Sequence, residues 1–169
     1  MCRTLVPRLE TRALRDALGQ FATGVAVVTT TTDDNTPVGM TINSFTSVSM
    51  TPPLVAWCVD RRAASYPVFA HTRHFCLSVL ADDQIELAKR FATPGGDKFR
   101  GIAGDGSAPV IEGACAYFRC DTDQRFLLGD HLMLVGRVIE FEKQTARPLL
   151  FAQGRFHTLP FVDAAKIAA

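Results

Sequence analysis

Between Val25 and Thr32 the chain reads Val-Ala-Val-Val-Thr-Thr-Thr-Thr. Side chains branched at Cβ lose rotamer freedom in a helix and pack well on a pleated surface, so this run is expected to be a strand. Asp33-Asp34-Asn35-Thr36 is a turn cluster, and Pro37 to Ile42 returns as the second arm of a hairpin. Leu54–Val59, Phe75–Leu80, Ala114–Cys120, Leu127–Phe141 and Leu149–Leu159 add further strand-like segments. Most of them follow one another through turns, without a helix long enough to cross a sheet. Six to eight strands joined in this way predict an antiparallel barrel or Greek-key sheet and argue against a doubly wound parallel one.

Two or three helices are expected beside the strands. Leu14, Ala17, Leu18 and Phe21 share one helical face over Thr11–Ala22, with Thr11 as cap and Gly24 beyond the end. A short helix broken by Pro67 is expected within Arg61–His71. Asp83-Gln84-Ile85-Glu86 has the capping-box pattern, with Asp83 as cap, and opens a helix whose stripe is Ile85, Ala88, Phe91 and Ala92. Thr93–Pro109 holds five of the twelve glycines and is expected to be a long loop of functional weight.

Composition narrows the class. At 169 residues and 47% apolar the chain has one-domain length and enough core to fold without a metal or disulfide staple. Eighteen Lys+Arg against 17 Asp+Glu give a net charge of +1, which argues against electrostatic nucleic-acid binding. The longest apolar run, Leu54–Val59, is far short of the ~20 residues of a spanning helix. No apolar segment follows the first residues, so no secretory signal is expected. Cysteines at 2, 58, 76, 115 and 120 contain no C-x-x-C pair and read as reduced, pointing to the cytoplasm. The chain has neither a Rossmann G-x-G-x-x-G after a strand nor a P-loop. His71, His74, His131 and His157 are not in metal-site spacing, and no metal is expected.

The segment most able to carry chemistry is Gly39-Met40-Thr41-Ile42-Asn43-Ser44-Phe45-Thr46-Ser47-Val48-Ser49, which is rich in hydroxyls and amides yet lies among apolar strands. Two readings are open from the residues alone. It is a Ser/Thr-rich edge strand with a turn at Asn43-Ser44, or a donor-rich cradle for a phosphate or a heteroaromatic ring. His131, between Asp130 and an apolar strand, reads by itself as structural. Lys98 and Arg100 read as solvated loop charges, and Phe45 and Trp57 as core or interface aromatics.

Taken in order, Phe21-Ala22-Thr23-Gly24-Val25-Ala26-Val27-Val28-Thr29, the Gly39–Ser49 segment, Pro52-Pro53-Leu54-Val55, Cys58-Val59-Asp60-Arg61, Phe91-Ala92, Asp97-Lys98-Phe99-Arg100-Gly101, Gly129-Asp130-His131 and Gly154-Arg155-Phe156 resemble the flavin reductase family. These are NAD(P)H:flavin oxidoreductases that serve two-component monooxygenases, such as the reductase component of 4-hydroxyphenylacetate 3-monooxygenase. The resemblance implies a mainly β fold, a split β-barrel of the FMN-binding type with a few peripheral helices. It implies one domain, with its core at about 14–159, and a homodimer. It also implies hydride transfer from NADH or NADPH to FMN or FAD, with reduced flavin passed to a separate oxygenase. A flavin-binding module without reductase activity is the alternative on the same barrel. A pyridoxamine-phosphate oxidase relative would need a basic phosphate-binding pattern that the sequence lacks.

By the same resemblance, Asn43, Ser44, Phe45, Thr46 and Ser47 hold the flavin chain and phosphate, and Val48 and Ser49 lie along its ring. Cys58 and Ser65 flank the flavin, and Lys98, Phe99 and Arg100 form the loop near its phosphates. Asp130 and His131 face the nicotinamide nucleotide, with His131 as the catalytic contact. Gly154, Arg155 and Phe156 approach the dinucleotide. This task needs no triad or carboxylate pair. Hydride transfer is the cofactors' own chemistry, and the protein supplies position and donors.

Overall fold

The computed structural model describes residues 10–103 and 107–160. Cys2 and the N-terminal segment without a secretory pattern lie outside the described residues, as do Gly104 and Gly106 of the long loop. In chain order the elements are α1 (Thr11–Leu18), β1 (Thr23–Gly24), β2 (Ala26–Thr31), β3 (Pro37–Ile42), β4 (Thr46–Met50), β5 (Pro53–Asp60), α2 (Tyr66–His71), β6 (His74–Val79), α3 (Ile85–Ala92), β7 (Ala116–Leu128), β8 (His131–Lys143), β9 (Leu150–Ala152) and β10 (Arg155–His157). Seven strands form one antiparallel sheet in the order β3-β2-β6-β7-β8-β5-β4, and β1, β9 and β10 form a second.

The strand order by itself requires closure. In a flat sheet, six inter-strand spacings of roughly 4.8 Å would hold β3 and β4 about 29 Å apart. The chain between Ile42 and Thr46 reaches only roughly 14 Å at full stretch. The sheet therefore curls until its two edges approach, giving a barrel split between β3 and β4.

Period-2 alternation then sorts the side chains. Val55, Trp57 and Val59 of β5, Leu132 and Leu134 of β8, and Phe75 and Leu77 of β6 fill the barrel interior. Gly136 faces this core because a Cβ there would collide with the Phe75 ring and sit 2.9 Å from Cys120 Cβ. A second cluster lies outside the barrel, where Ala88 and Phe91 of α3, with Leu80, Ile111 and Leu149, cover Val25 and Val27. On the opposite outer face the ladders align Cys58 with Met133 and Phe126, and Asp60 with His131 and Leu128. That face keeps Phe126 and Leu128 43% and 53% exposed.

Several local expectations are corrected. The first helix ends at Leu18, and none of its residues is buried. Its cap is Glu10, whose carboxylate accepts from the Ala13 N–H at 3.2 Å, and Gly19, not Gly24, closes it. The cap of α3 is Gln84, not Asp83. The Gln84 side chain instead accepts from the Ala81 N–H at 2.9 Å and donates to the Glu112 carbonyl at 2.8 Å. Pro67 does not break α2, because it sits in the first turn, where its missing N–H has no helical acceptor to lose. Leu127–Phe141 is two strands joined at Gly129-Asp130, with Gly129 at φ +60°. The polar stretch Asp121–Arg125, outside the expected strands, continues β7, because its ladder to β8 and bonds such as Arg137 to Asp123 at 2.9 Å satisfy it.

Candidate active site

The connector between β3 and β4, with β4 itself, forms a polar seam along the split. Asn43, Ser44, Thr46, Ser47 and Val48 are exposed, and Phe45 and Ser49 are half-buried. As the end of the sheet order, β4 pairs on one side only, so its outward backbone groups are outside the ladder. The pairing with β5 slips between Ser47 and Ser49 and leaves Val48 as a bulge. Such a bulge bends the strand and re-aims its groups. The Asn43 amide and the Ser47 hydroxyl make no hydrogen bond among the described residues.

Ser44 has a fixed role. Its Oγ accepts from the Cys58 N–H at 3.0 Å and donates to the Cys58 carbonyl at 3.3 Å. Two expected cofactor residues are thereby clamped together, and the connector is tied to β5. Burial pushes the Cys58 thiol up, which keeps it neutral. Phe45 turns toward the barrel mouth, its ring 5.6 Å from Phe118.

Beside β3 opens a groove of about 540 Å³ that Met40, Ser65, Lys98 and Phe99 line together. Ser65 Oγ lies 3.3 Å from Met40 Sδ. Lys98 Nζ donates to the Phe91 carbonyl at 2.9 Å, at the end of α3, and burial lowers its pKa. An ammonium has three donors, so two remain for a ligand. Phe99 packs edge-on against Phe91 at 5.1 Å. A Cβ on Gly39 would sit 2.8 Å from Phe91 and 3.0 Å from Phe99, so glycine lets these two rings lie against β3. Arg100 is exposed and does not line the groove; its carbonyl accepts from Arg90 at 3.2 Å.

At the start of β8, His131 stands across from Asp60 of β5 and Leu128 of β7. Its Nδ1 lies 2.7 Å from Asp130 Oδ1, a bond that holds the Asp130 carboxyl below the usual range. Asp60 is gripped by Arg62. Nη2 donates to Oδ2 at 2.7 Å, while Nε and the backbone N–H donate to Oδ1 at 3.1 and 2.8 Å. That grip holds the Asp60 carboxyl well below the carboxylate range. Reading the sequence for motifs assigns no role to Asp60 or Arg62. The available signal was the Asp-x-Arg spacing, in which an Asp side chain bonds the backbone two residues on.

Gly154, Arg155 and Phe156 lie elsewhere. Gly154 lies in the tight β9–β10 turn, where Gln153 and Gly154 both take positive φ, while Arg155 and Phe156 open β10 and Phe156 packs on Phe151 at 5.4 Å. Gly154 shares a groove of about 690 Å³ with Asn43 and Phe21. Among the described residues no hydrogen bond joins this turn to Asp130 or His131. The expected residues thus fall into a polar seam, a groove beside β3, an imidazole–carboxylate pair at the barrel end, and a separate hairpin.

This donor set fits a flavin. Unpaired strand-edge amides and short hydroxyl and amide side chains suit a ribityl phosphate and the polar edge of a fused ring. The Met40 to Phe99 groove adds an apolar wall with a cation beside it.

Comparison with known proteins agrees with this reading. The sequence model described as flavin reductase like domain matches residues 18–160. The FMN reductase (NADH) of Agrobacterium fabrum is 42% identical over 147 residues, which is 86% of this chain and 84% of that protein. The reductase component of the flavin-dependent trigonelline monooxygenase of Acinetobacter baylyi is 40% identical over 150 residues, 87% of this chain but 48% of its own length. The chain thus spans about half of that relative. Among solved structures, an NADH:FAD oxidoreductase of Streptomyces globisporus in complex with NAD and FAD fragments superposes with a TM-score of 0.84 at 38% identity. That match covers 91% of this chain and 95% of the other.

Proposed function

The chain belongs to the flavin reductase like family, and from that premise we propose that it is an NAD(P)H:flavin oxidoreductase supplying reduced flavin to a separate monooxygenase component. The observation that carries the reading is the exposed, one-sided strand β4 with the Asn43–Ser49 donors, whose connector Ser44 ties to Cys58, two residues along β5 from the Asp60 that faces His131. Bound together, a flavin and a dihydronicotinamide supply the redox chemistry, a hydride passing from one ring to the other. The chain's task is alignment. Asn43, Ser47 and the β4 backbone hold FMN or FAD, Ser44 and Cys58 brace that edge, and Lys98 adds a cation by the phosphates. His131, held by Asp130, contacts the nucleotide. Gly154, Arg155 and Phe156 reach the dinucleotide from a second copy or from its far end.

The oxygenase partner is supported by relatives named as reductase components. A homodimer is supported by the uncovered apolar side chains Leu18, Phe21, Phe126 and Leu128. One domain spanning the core at 14–159 and a cytoplasmic setting complete the reading. No described helix is long and apolar enough to cross a membrane.

The test crosses FMN and FAD with NADH and NADPH on the purified chain. Nucleotide oxidation is expected only when flavin is present, and silence in all four combinations overturns the reading. The non-catalytic flavin-binding alternative would show itself as tightly held flavin that neither nucleotide reduces.

A further inference from the structure

Two turns meet at the end of the barrel where His131 sits. One follows β5 and carries Asp60, Arg61 and Arg62; the other is the Gly129-Asp130 turn between β7 and β8. They are joined by the Arg61 N–H, which donates to the Asp130 carbonyl at 3.0 Å. The β5–β8 ladder places Asp60 directly across from His131. Asp130 beside it, and Asp60 with the Arg62 guanidinium it holds across from it, therefore flank this imidazole, with apolar Leu128 on the β7 side. Of these groups Asp130 alone bonds the ring, through Nδ1 at 2.7 Å.

The guanidinium is the unstable partner in this set. A planar fork takes both oxygens of a carboxylate in preference to a single contact. The Arg62 side chain is 81% exposed, so packing does not restrain it. What restrains it is Asp60, through both oxygens and the Arg62 backbone N–H. With Asp60 removed, Asp130 is the carboxylate on the turn that the Arg61 N–H joins to the Arg62 turn.

We infer that Asp60 is a positioning residue for His131. By holding Arg62 in a bidentate grip it keeps that guanidinium off Asp130, and so leaves the Asp130 carboxylate to anchor the imidazole through Nδ1. An ionised carboxylate only accepts, so the anchored nitrogen carries the hydrogen. The anchored neutral ring then presents a bare Nε2 to whatever approaches the barrel end, and the protonated ring presents an N–H there. A ring whose Asp130 has been taken by Arg62 is held in neither orientation nor tautomer.

The deciding measurement is the tautomer of His131 in the ligand-free chain. It is read by long-range ¹H–¹⁵N NMR at about pH 9, above the ordinary histidine range, with the signal assigned by a His131→Gln variant. The parent chain is expected to carry hydrogen on Nδ1. Asp60→Asn should deplete that tautomer, and Asp60→Asn with Arg62→Ala should restore it, because no guanidinium is then released. A merely structural role for Asp60 would not be repaired by a second deletion. Should the asparagine unfold the turn, Asp60→Ser enters the same comparison. An unchanged tautomer in the single variant, or a double variant as disturbed as the single, overturns the inference.

A kinetic arm rests on the proposed reductase function. There the single variant should raise the nucleotide KM at least roughly tenfold, with flavin affinity held and the double variant recovering. A shifted tautomer with unmoved KM would uphold the role of Asp60 and remove His131 from the nucleotide contact.

Discussion

Single atoms decide most at the barrel end. The Asp130 carboxylate gives His131 one fixed hydrogen bond, and the nucleotide role proposed for that ring predicts a separation of effects. His131→Ala should raise the NADH or NADPH KM by roughly tenfold, about 1.4 kcal/mol of binding, while flavin affinity stays within a factor of about two. Titration of flavin fluorescence beside initial-rate kinetics checks it, and a parallel loss of both affinities would count against the assignment. The acidic pair also predicts the acid limb of stability. Asp60 and Asp130 both titrate below the usual aspartate value in the folded chain. Their contribution is therefore fully present above about pH 4 and is lost as pH falls through their folded values. Urea midpoints of the parent and an Asp60→Asn, Asp130→Asn variant should differ at about pH 7, with the gap narrowing steadily as pH falls below about 4. A gap that widens on acidification would contradict the sign.

Among elements, α3 and the loop after it work as one lid on β3. Phe91 and Phe99 meet edge to face at 5.1 Å directly over Gly39. Gly39→Ala should therefore cost about 1–3 kcal/mol through overpacking, read as a lower urea midpoint with unchanged slope. Because Lys98 and Ser65 line the same groove, the variant should also weaken flavin binding, and unchanged affinity would place the ligand away from this groove. The first helix makes the contrasting case. Its stripe of Leu14, Ala17 and Leu18 is legible in the sequence as a face meant for burial, yet none of these side chains is buried among the described residues. Periodicity reports that a face is apolar and carries no information about what it meets.

For the whole molecule, one outer face of the barrel is covered by α3 and its loop, and the other leaves Phe126 and Leu128 exposed among the described residues. Phe126 and Leu128 stand in ladder register with Met133 and His131 on that second face. A second copy packed there would bury them, and light scattering at micromolar concentration should report a dimer. Leu128→Glu should shift it toward monomer without lowering the unfolding midpoint of the monomer, whereas a monomeric parent chain would remove the dimer from the reading.

Most strand segments, the β2–β3 hairpin and the polar segment at 39–49 were readable in the residues, because β-branching, turn chemistry and side-chain donors are local properties, whereas the expected Leu149–Leu159 strand is two, β9 and β10. The β7–β8 hairpin was not, since polar Asp121–Arg125 becomes strand only when β8 lies beside it to satisfy its backbone. Nor could spacing along the chain show that Asp60 faces His131, 71 positions later by number, or that Gly154 shares a groove with Asn43. Local sequence thus settled which segments extend and which residues offer donors. Closure of a seven-stranded sheet on a three-residue connector decided which of those donors share a surface, because register is a property of paired strands and no single strand contains it.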